Sequence, residues 1–285
     1  MVWQMVRWYL FILVLGWLNF PLTSMLFSKL KCYGYAFSKI IGLLGWGFLY
    51  WIITIYQLLP NSLISAILAL MILLLLNVLI YRHDKEKVRF RIRNERSFLV
   101  MVETIFLVAF TVGTIFRAMS PAISGTEKPM ELAFINAILE TPKFPPGDPW
   151  LSGYAISYYY FGYLMVALLA RITHVSGAVA FNLAIALWAG FVCSTAYAIL
   201  YELLYAYFSF MHRLTKHIKK KLLWLSLLAP FFLLVVSNAE GSLEMLHASG
   251  VFWTVDAQGN AQSDFWKWLD IQELNHPPKG QEQWI

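Results

Sequence analysis

Charge is scarce in this chain: Asp, Glu, Lys and Arg make up 13% of 285 residues, against 59% hydrophobic ones. That is too little to clothe a soluble domain of this length, so soluble classes are excluded. Cysteine is nearly missing too. Cys193 sits in an apolar block and Cys32 in a basic stretch, which indicates neither a disulfide framework nor a metal-ligand pair. His174 is isolated, and no zinc-type spacing occurs anywhere. The short alternating segments of a transmembrane barrel are absent as well. The first apolar block, with Arg7 before it, lacks a small-x-small cleavage site and offers only Asn19-Phe20-Pro21, so it reads as a retained membrane helix.

What is present is a series of apolar blocks, each near the roughly 20 residues that a helix needs to cross a bilayer. The mean hydropathy is +0.61. The fold class expected is therefore all-α, a polytopic transmembrane helical bundle. Its first spans fall at residues 7–27, 40–59, 62–81 and 97–116, with Pro21 kinking the first and Pro60-Asn61 forming a tight turn.

The net charge of +6 is a topology signal before it is a nucleic-acid signal, and no nucleic-acid partner is expected. The stretch RHDKEKVRFRIRNER, with seven Lys/Arg against three acids, reads as a cytosolic loop anchoring the bundle, or less simply as a site for anionic lipid. Residues 158–172 are too short to span comfortably. Treating them as an interfacial or re-entrant helix makes 178–205 the next inward span and 222–237 the last outward one. On this scheme 15 of the 22 Lys/Arg lie in three inner loops. Two regions follow: 1–96, three spans and a basic loop, and 97–285, a second membrane module. The outer segment 238–285 alternates aromatics (Phe252, Trp253, Phe265, Trp266, Trp268, Trp284) with polar residues, which suits an element on a membrane surface. It stops without a closing helix, so the chain reads as the N-terminal part of a longer protein.

The outer loop 117–157 and the tyrosines after it form one polar island, TEKPMELAFINAILETPKFPPGDPWLSGYAISYYYFGY. Glu127 and Glu131 are four apart, which places both carboxylates on one face of a helix with Thr126 as its N-cap. Such a pair can deprotonate a hydroxyl or help hold a divalent cation near a phosphate, or simply favour the helix dipole. Asp148, held between Pro146 and Pro149, is either a presented carboxylate or a turn residue bonding its own backbone. On a helix Tyr158, Tyr159 and Tyr160 step by about 100° and cannot share a face. They offer hydroxyls and rings to a sugar or headgroup, or form an aromatic belt. Arg117 and Lys128 are the nearest cations for a lipid phosphate. Glu103 and Glu202 lie near inner ends, within expected reach of Arg96 or Arg213.

The runs GTEKPMELAFINAIL, FPPGDPWLSGYAISYYYFGYLMVALLARIT and AVAFNLAIAL closely resemble the YYY family of large uncharacterised membrane proteins, over about residues 116–187. The order of span, acidic outer loop, Pro-Pro element, interfacial helix and return span is similar, more weakly, to the start of the C-type membrane glycosyltransferases. That second resemblance implies a GT-C-like fold and a polyprenyl-phosphate sugar donor. It also implies an acidic motif in the first outer loop, where Glu127 is the matching carboxylate and Thr126 replaces the usual first acid. Two readings of function therefore stand. One is a multi-pass cell-membrane transferase with Glu127 or Glu131 as base or metal-organising group, Asp148 assisting, and Arg117 or Lys128 near phosphate. The other is a non-catalytic lipid or glycan transporter or assembly scaffold.

Overall fold

The structure, a computed structural model, describes residues 2–125, 127–237, 239–255 and 261–277. Five helices among them are long and apolar enough to cross a membrane. They are α1 (Val2–Leu26), α2 (Ser38–Ile55, entered through a 3-10 turn at Tyr35–Phe37), α3 (Leu63–Asn94), α4 (Arg96–Met119) and α7 (Gly177–Phe210). Between α4 and α7 lie two shorter helices, α5 (Lys128–Glu140) and α6 (Phe161–Thr173). This is an all-α polytopic membrane architecture, as the apolar blocks require. Two compact units divide it at Leu227/Leu228, the first holding every span named so far.

The expected basic loop after the third span is not a loop. α3 runs through it to Asn94, with one break at Asp84 (φ −116°, ψ 27°). No Pro or Gly interrupts residues 63–96, straight-chain basic residues are good helix formers, and i,i+3 pairs Asp84–Lys87 and Glu86–Arg89 support the turn after the break.

α4 and α7 pack antiparallel and close. Phe98 meets Tyr201, Phe106 meets Phe191, and Gly113 faces Ala186 so tightly that an added Cβ would lie 3.1 Å from the Ala186 Cα. With no water to drive helices together inside a bilayer, such small-residue contacts and interhelical hydrogen bonds do the work. α1 shows the second device. Pro21 disturbs the backbone ladder, and the Leu22 amide donates instead to Asn77 Oδ1 of α3 at 3.1 Å. Asn77 Nδ2 donates to Asn19 Oδ1 at 3.1 Å, and Asn19 Nδ2 reaches the Ser38 carbonyl at 3.2 Å. Asn77→Leu would strand the amide that proline freed. Thermal unfolding in detergent should show a loss of about 1–3 kcal/mol, whereas the exposed neighbour change Leu76→Ala should cost well under half of that.

At the basic end of the bundle, carboxylates hold the turn between α1 and α2. Glu202 of α7 accepts the Lys31 and Cys32 amides at 2.9 and 2.7 Å, and Lys31 pairs with Glu95. Glu103 takes Lys39 and the Tyr35 hydroxyl. Neither Glu103 nor Glu202 uses Arg96 or Arg213 as expected, because the turn after α1 folds back between α4 and α7 and supplies nearer donors. Burial, reinforced by the Glu202 charge, pushes the Cys32 thiol well above its ordinary range, so it is no nucleophile.

The expected span at 222–237 is broken. α8 (Lys216–Leu225) ends at Ser226, and the short α9 (Leu228–Phe231) passes into a π-helical turn at Phe232–Val236. Pro230 lacks the amide that a continuous helix would need there. In the second unit, α10 (Ala239–Ala248), a two-stranded ladder (β1 Thr254–Val255, β2 Ala261–Gln262) and α11 (Asp264–Leu269) follow. Trp266 is wholly buried, stacked edge-on with His247, and its indole N–H donates to the Val251 carbonyl at 2.9 Å. Of the aromatics in this stretch Trp266 packs against Phe252 and Phe265, Phe252 and Trp268 are exposed, and Trp284 lies outside the described residues.

Candidate functional site at the island end

α6 is apolar nearly all round, and Leu164 and Val166 to Ala170 are buried, so it is a packed element rather than a helix floating at a surface. Its contacts with α2 run from Phe161 at Trp51, through Met165 at Gly47, to Arg171 at Tyr50. Eleven residues of α6, about 15 Å of helix, thus meet a stretch of five in α2. At 13 residues α6 is too short to span comfortably.

The tyrosines do not belong to that helix. Tyr158 to Tyr160 precede it, and Tyr160 occupies its N-cap position. The reason lies upstream, where the Asp148 amide donates to the Tyr154 carbonyl and the Ile156 amide to the Pro146 carbonyl, tying residues 146–156 into a closed loop. The chain leaves that loop without regular structure and bends at Tyr158. The triplet consequently splits two ways: Tyr160 turns inward, its hydroxyl accepting the Trp51 indole N–H at 3.0 Å, while the Tyr158 and Tyr159 rings lie 3.9 Å apart with their hydroxyls bonded. Together with Phe48, Trp51 and Phe161 they line a slot of about 360 Å³. Phe48 is exposed on the face of α2 that would meet lipid. The bond to Tyr159, then burial, then the nearby Glu127 and Glu131 charges push the Tyr158 hydroxyl up to about 12, so it is neutral at physiological pH and acts as a hydrogen-bonding group, not a base.

Glu131 stands beside this slot. It is half-buried on the face of α5 that carries Ile135 and Ile138, and it accepts the Tyr163 hydroxyl at 3.2 Å. Phe134 joins the pieces, touching Trp150, Tyr158 and Tyr163. Glu127 is exposed and holds the N-cap position of α5 without a side-chain cap bond, and Lys128 is exposed next to it. Thr126, the expected cap, lies outside the described residues.

Two expected members are elsewhere. Asp148 Oδ1 accepts the Trp150 and Leu151 amides at 2.8 and 2.9 Å, the turn-forming use of an aspartate, and it lines a different pocket of about 560 Å³ with Glu140, Asn136 and Thr141. Glu140 lies nine residues beyond Glu131, half a helix turn out of phase, so the two carboxylates point to opposite sides of α5. Arg117 is spent on Asn182 of α7, with Nε and Nη2 at 2.8 and 2.5 Å from Oδ1, and so joins the ends of two spans rather than meeting the acids. Among the described residues no three His, Cys, Asp or Glu side chains gather as a metal-ligand set.

The anchor of the island escaped the sequence reading. Arg171 of α6 donates from Nη1 to Tyr50 Oη and Asn61 Oδ1 at 2.8 and 2.6 Å, and from Nη2 to the Ile138 and Leu139 carbonyls at 3.4 and 3.0 Å. Asn61 also donates to the carbonyls of Ile138 and Thr141, and its amide to that of Pro142. A cation and an amide thus close the C-terminal end of α5, where unpaired carbonyls and the negative dipole end favour them. The available signal was Arg171 itself, the one charge in an apolar run.

A family model described as Uncharacterized membrane protein (DUF2298) matches residues 45–271, from the middle of α2 to just past α11, with the whole island inside the match. The chain belongs to this family. It is accordingly a multi-pass membrane protein, and the residues that line the slot and form its anchor all lie within the matched stretch. No curated protein and no solved structure matches the chain.

Proposed function

We propose that the island end binds the headgroup of a polyprenyl-phosphate-linked sugar at the outer face of the cell membrane, and that the chain works there as a glycosyltransferase-like protein. The observation that carries this reading is the aromatic slot with Glu131 beside it. Stacked tyrosine rings and an indole suit a sugar face or an isoprenoid, and the opening beside Phe48 suits a ligand arriving from lipid. The slot is built on the tyrosine triplet that underlies the resemblance to the YYY family. The excess of Lys and Arg at the other end of the spans supports an outer position.

In the transfer step the acceptor oxygen bonds to the anomeric carbon as the bond from that carbon to the phosphate oxygen breaks. The lipid phosphate leaves with the electron pair, and the acceptor proton passes to Glu131, which Tyr163 holds in place. Lys128, one turn before Glu131, is the cation left for the phosphate. Glu127 adds charge near Tyr158.

A non-catalytic reading, in which the same slot carries or docks a glycolipid, is favoured by a specific observation: Asp148 and Arg117 are both tied to neighbours and bring nothing to Glu131. The two separate in the full-length protein, purified into bilayer discs and given a polyprenyl-phosphate sugar. Glu131→Gln should leave binding within a few-fold and lower turnover by about 10²-fold or more, while the exposed change Tyr159→Leu should weaken binding. Binding that Tyr159→Leu weakens but that no acceptor converts to product selects the carrier. Unaltered binding in Tyr159→Leu together with unaltered turnover in Glu131→Gln removes both.

A further inference from the structure

A second lipid-facing site lies at the opposite, basic end. α1 and α3 enclose an apolar groove of about 350 Å³ whose walls include Trp17, Leu18, Leu74 and Val78. The groove is closed at its end by Tyr81, just before the Asp84 break, and by Val88 and Ile92 of the part of α3 beyond it. That part is fixed in place: Val88 is buried, and Arg91 donates to the Ser24 carbonyl at 2.8 Å and lies 4.4 Å over the Tyr33 ring.

The closing segment carries more positive charge than its surroundings neutralise. Its three acids are all engaged, Asp84 with Lys87, Glu86 with Arg89 at 3.8 Å, and Glu95 with Lys31. Among the described residues Arg82, Lys85, Arg93 and Arg96 make no ion pair, and all four are exposed. Lys85 is three residues before Val88 and seven before Ile92, which puts it on the groove side of the segment after the break, and Arg89 follows it by one turn. An apolar trough ending in exposed cations, Lys85 unpaired and Arg89 held only by Glu86 at 3.8 Å, is complementary to one kind of molecule.

We propose that this groove holds an acyl chain of an anionic phospholipid, whose phosphodiester headgroup is bound by Lys85 and Arg89 with Arg82 and Arg93 adding field. The kink at Asp84 makes the site, since it turns a basic helix end into a shelf across the mouth of the trough. The occupant comes from the bilayer leaflet on the basic side, and its recognition is by charge at the head and by shape along the chain.

The test uses the full chain in bilayer discs carrying either phosphatidylglycerol or phosphatidylcholine with the same diazirine-bearing acyl chain, followed by mapping of the labelled peptides. The phosphatidylglycerol form should label the segments around Trp17 and Leu74 to Val78 by about fivefold or more over the phosphatidylcholine form. Lys85→Gln with Arg89→Gln, both exposed positions, should abolish that preference while leaving the weaker phosphatidylcholine labelling. Val78→Trp should fill the groove and remove labelling by both. Equal labelling by the two lipids, or a preference that survives the double charge change, overturns the proposal.

Discussion

Lys39→Met is expected to destabilise the bundle by about 3–5 kcal/mol, because it leaves the Glu103 carboxylate buried without its cation. Lys39 is 2% exposed, pairs with Glu103, and lies 5.0 Å from the centroid of the Phe106 ring. The Tyr35 hydroxyl, 2.5 Å from the same carboxylate oxygen, completes the cluster. Methionine replaces the aliphatic stem, which packs against Gly16, but supplies no charge. The companion variant Lys39→Met/Glu103→Gln removes both charges and should recover most of the loss, since the large cost belongs to the orphaned ion and not to the pair. Thermal unfolding of the two variants in the same detergent measures the difference. Equal losses in both would mean that packing of the lysine stem, rather than charge, accounts for the effect. An ionisable residue within a span is a functional candidate by default, and here the pairing gives Lys39 and Glu103 a structural task.

Arg171→Ala should cost about 3 kcal/mol and, more tellingly, release α5. Four donors leave at once, and the Ile138 and Leu139 carbonyls, the Tyr50 hydroxyl and Asn61 lose their shared partner. Arg171→Lys keeps the charge but not the fork that reaches two carbonyls and two side chains together, so it should recover less than half of the loss. Limited proteolysis within residues 120–160 is the direct readout. Fast cleavage in Arg171→Ala with the spans still protected is the expected pattern, and cleavage at the wild-type rate would show that Asn61 alone suffices as an anchor.

The spans were legible because a membrane helix is written in one variable, continuous apolarity between charges, and all five long helices fall where the apolar blocks fall. The errors came where sequence signals local composition but not connection. The segment 82–96 looked like a loop because it is charged, yet nothing in it breaks a helix. Tyr158 to Tyr160 looked helical because they are continuous with α6, and the backbone bonds of residues 146–156 decide otherwise. Partners across the chain were the least accessible. Glu202 meets amides about 170 residues away and Arg117 meets Asn182, pairings that only the antiparallel packing of α4 and α7 and the folded-back turn after α1 can bring about. Glu127 and Glu131, four apart in sequence, meet different surroundings, Glu127 exposed and Glu131 half-buried at Tyr163, and proximity in sequence to Asp148 did not translate into a shared pocket.

The uneven fastening of α5 has a mechanical consequence. Its C-terminal end is clamped to α2, α6 and the start of α3 by Arg171 and Asn61, whereas Glu127 at the other end is exposed. Thirteen residues give an arm of about 20 Å. A rocking of about 10° around the clamp carries the Glu127 end through roughly 3 Å and Glu131 through roughly 2 Å, and it moves the last turn hardly at all. With its fulcrum at Arg171, such a lever would carry Glu131 against Tyr163 and Phe134 against Tyr158, so a ligand that pulls on Glu131 would be felt at the tyrosine slot and at α6 together.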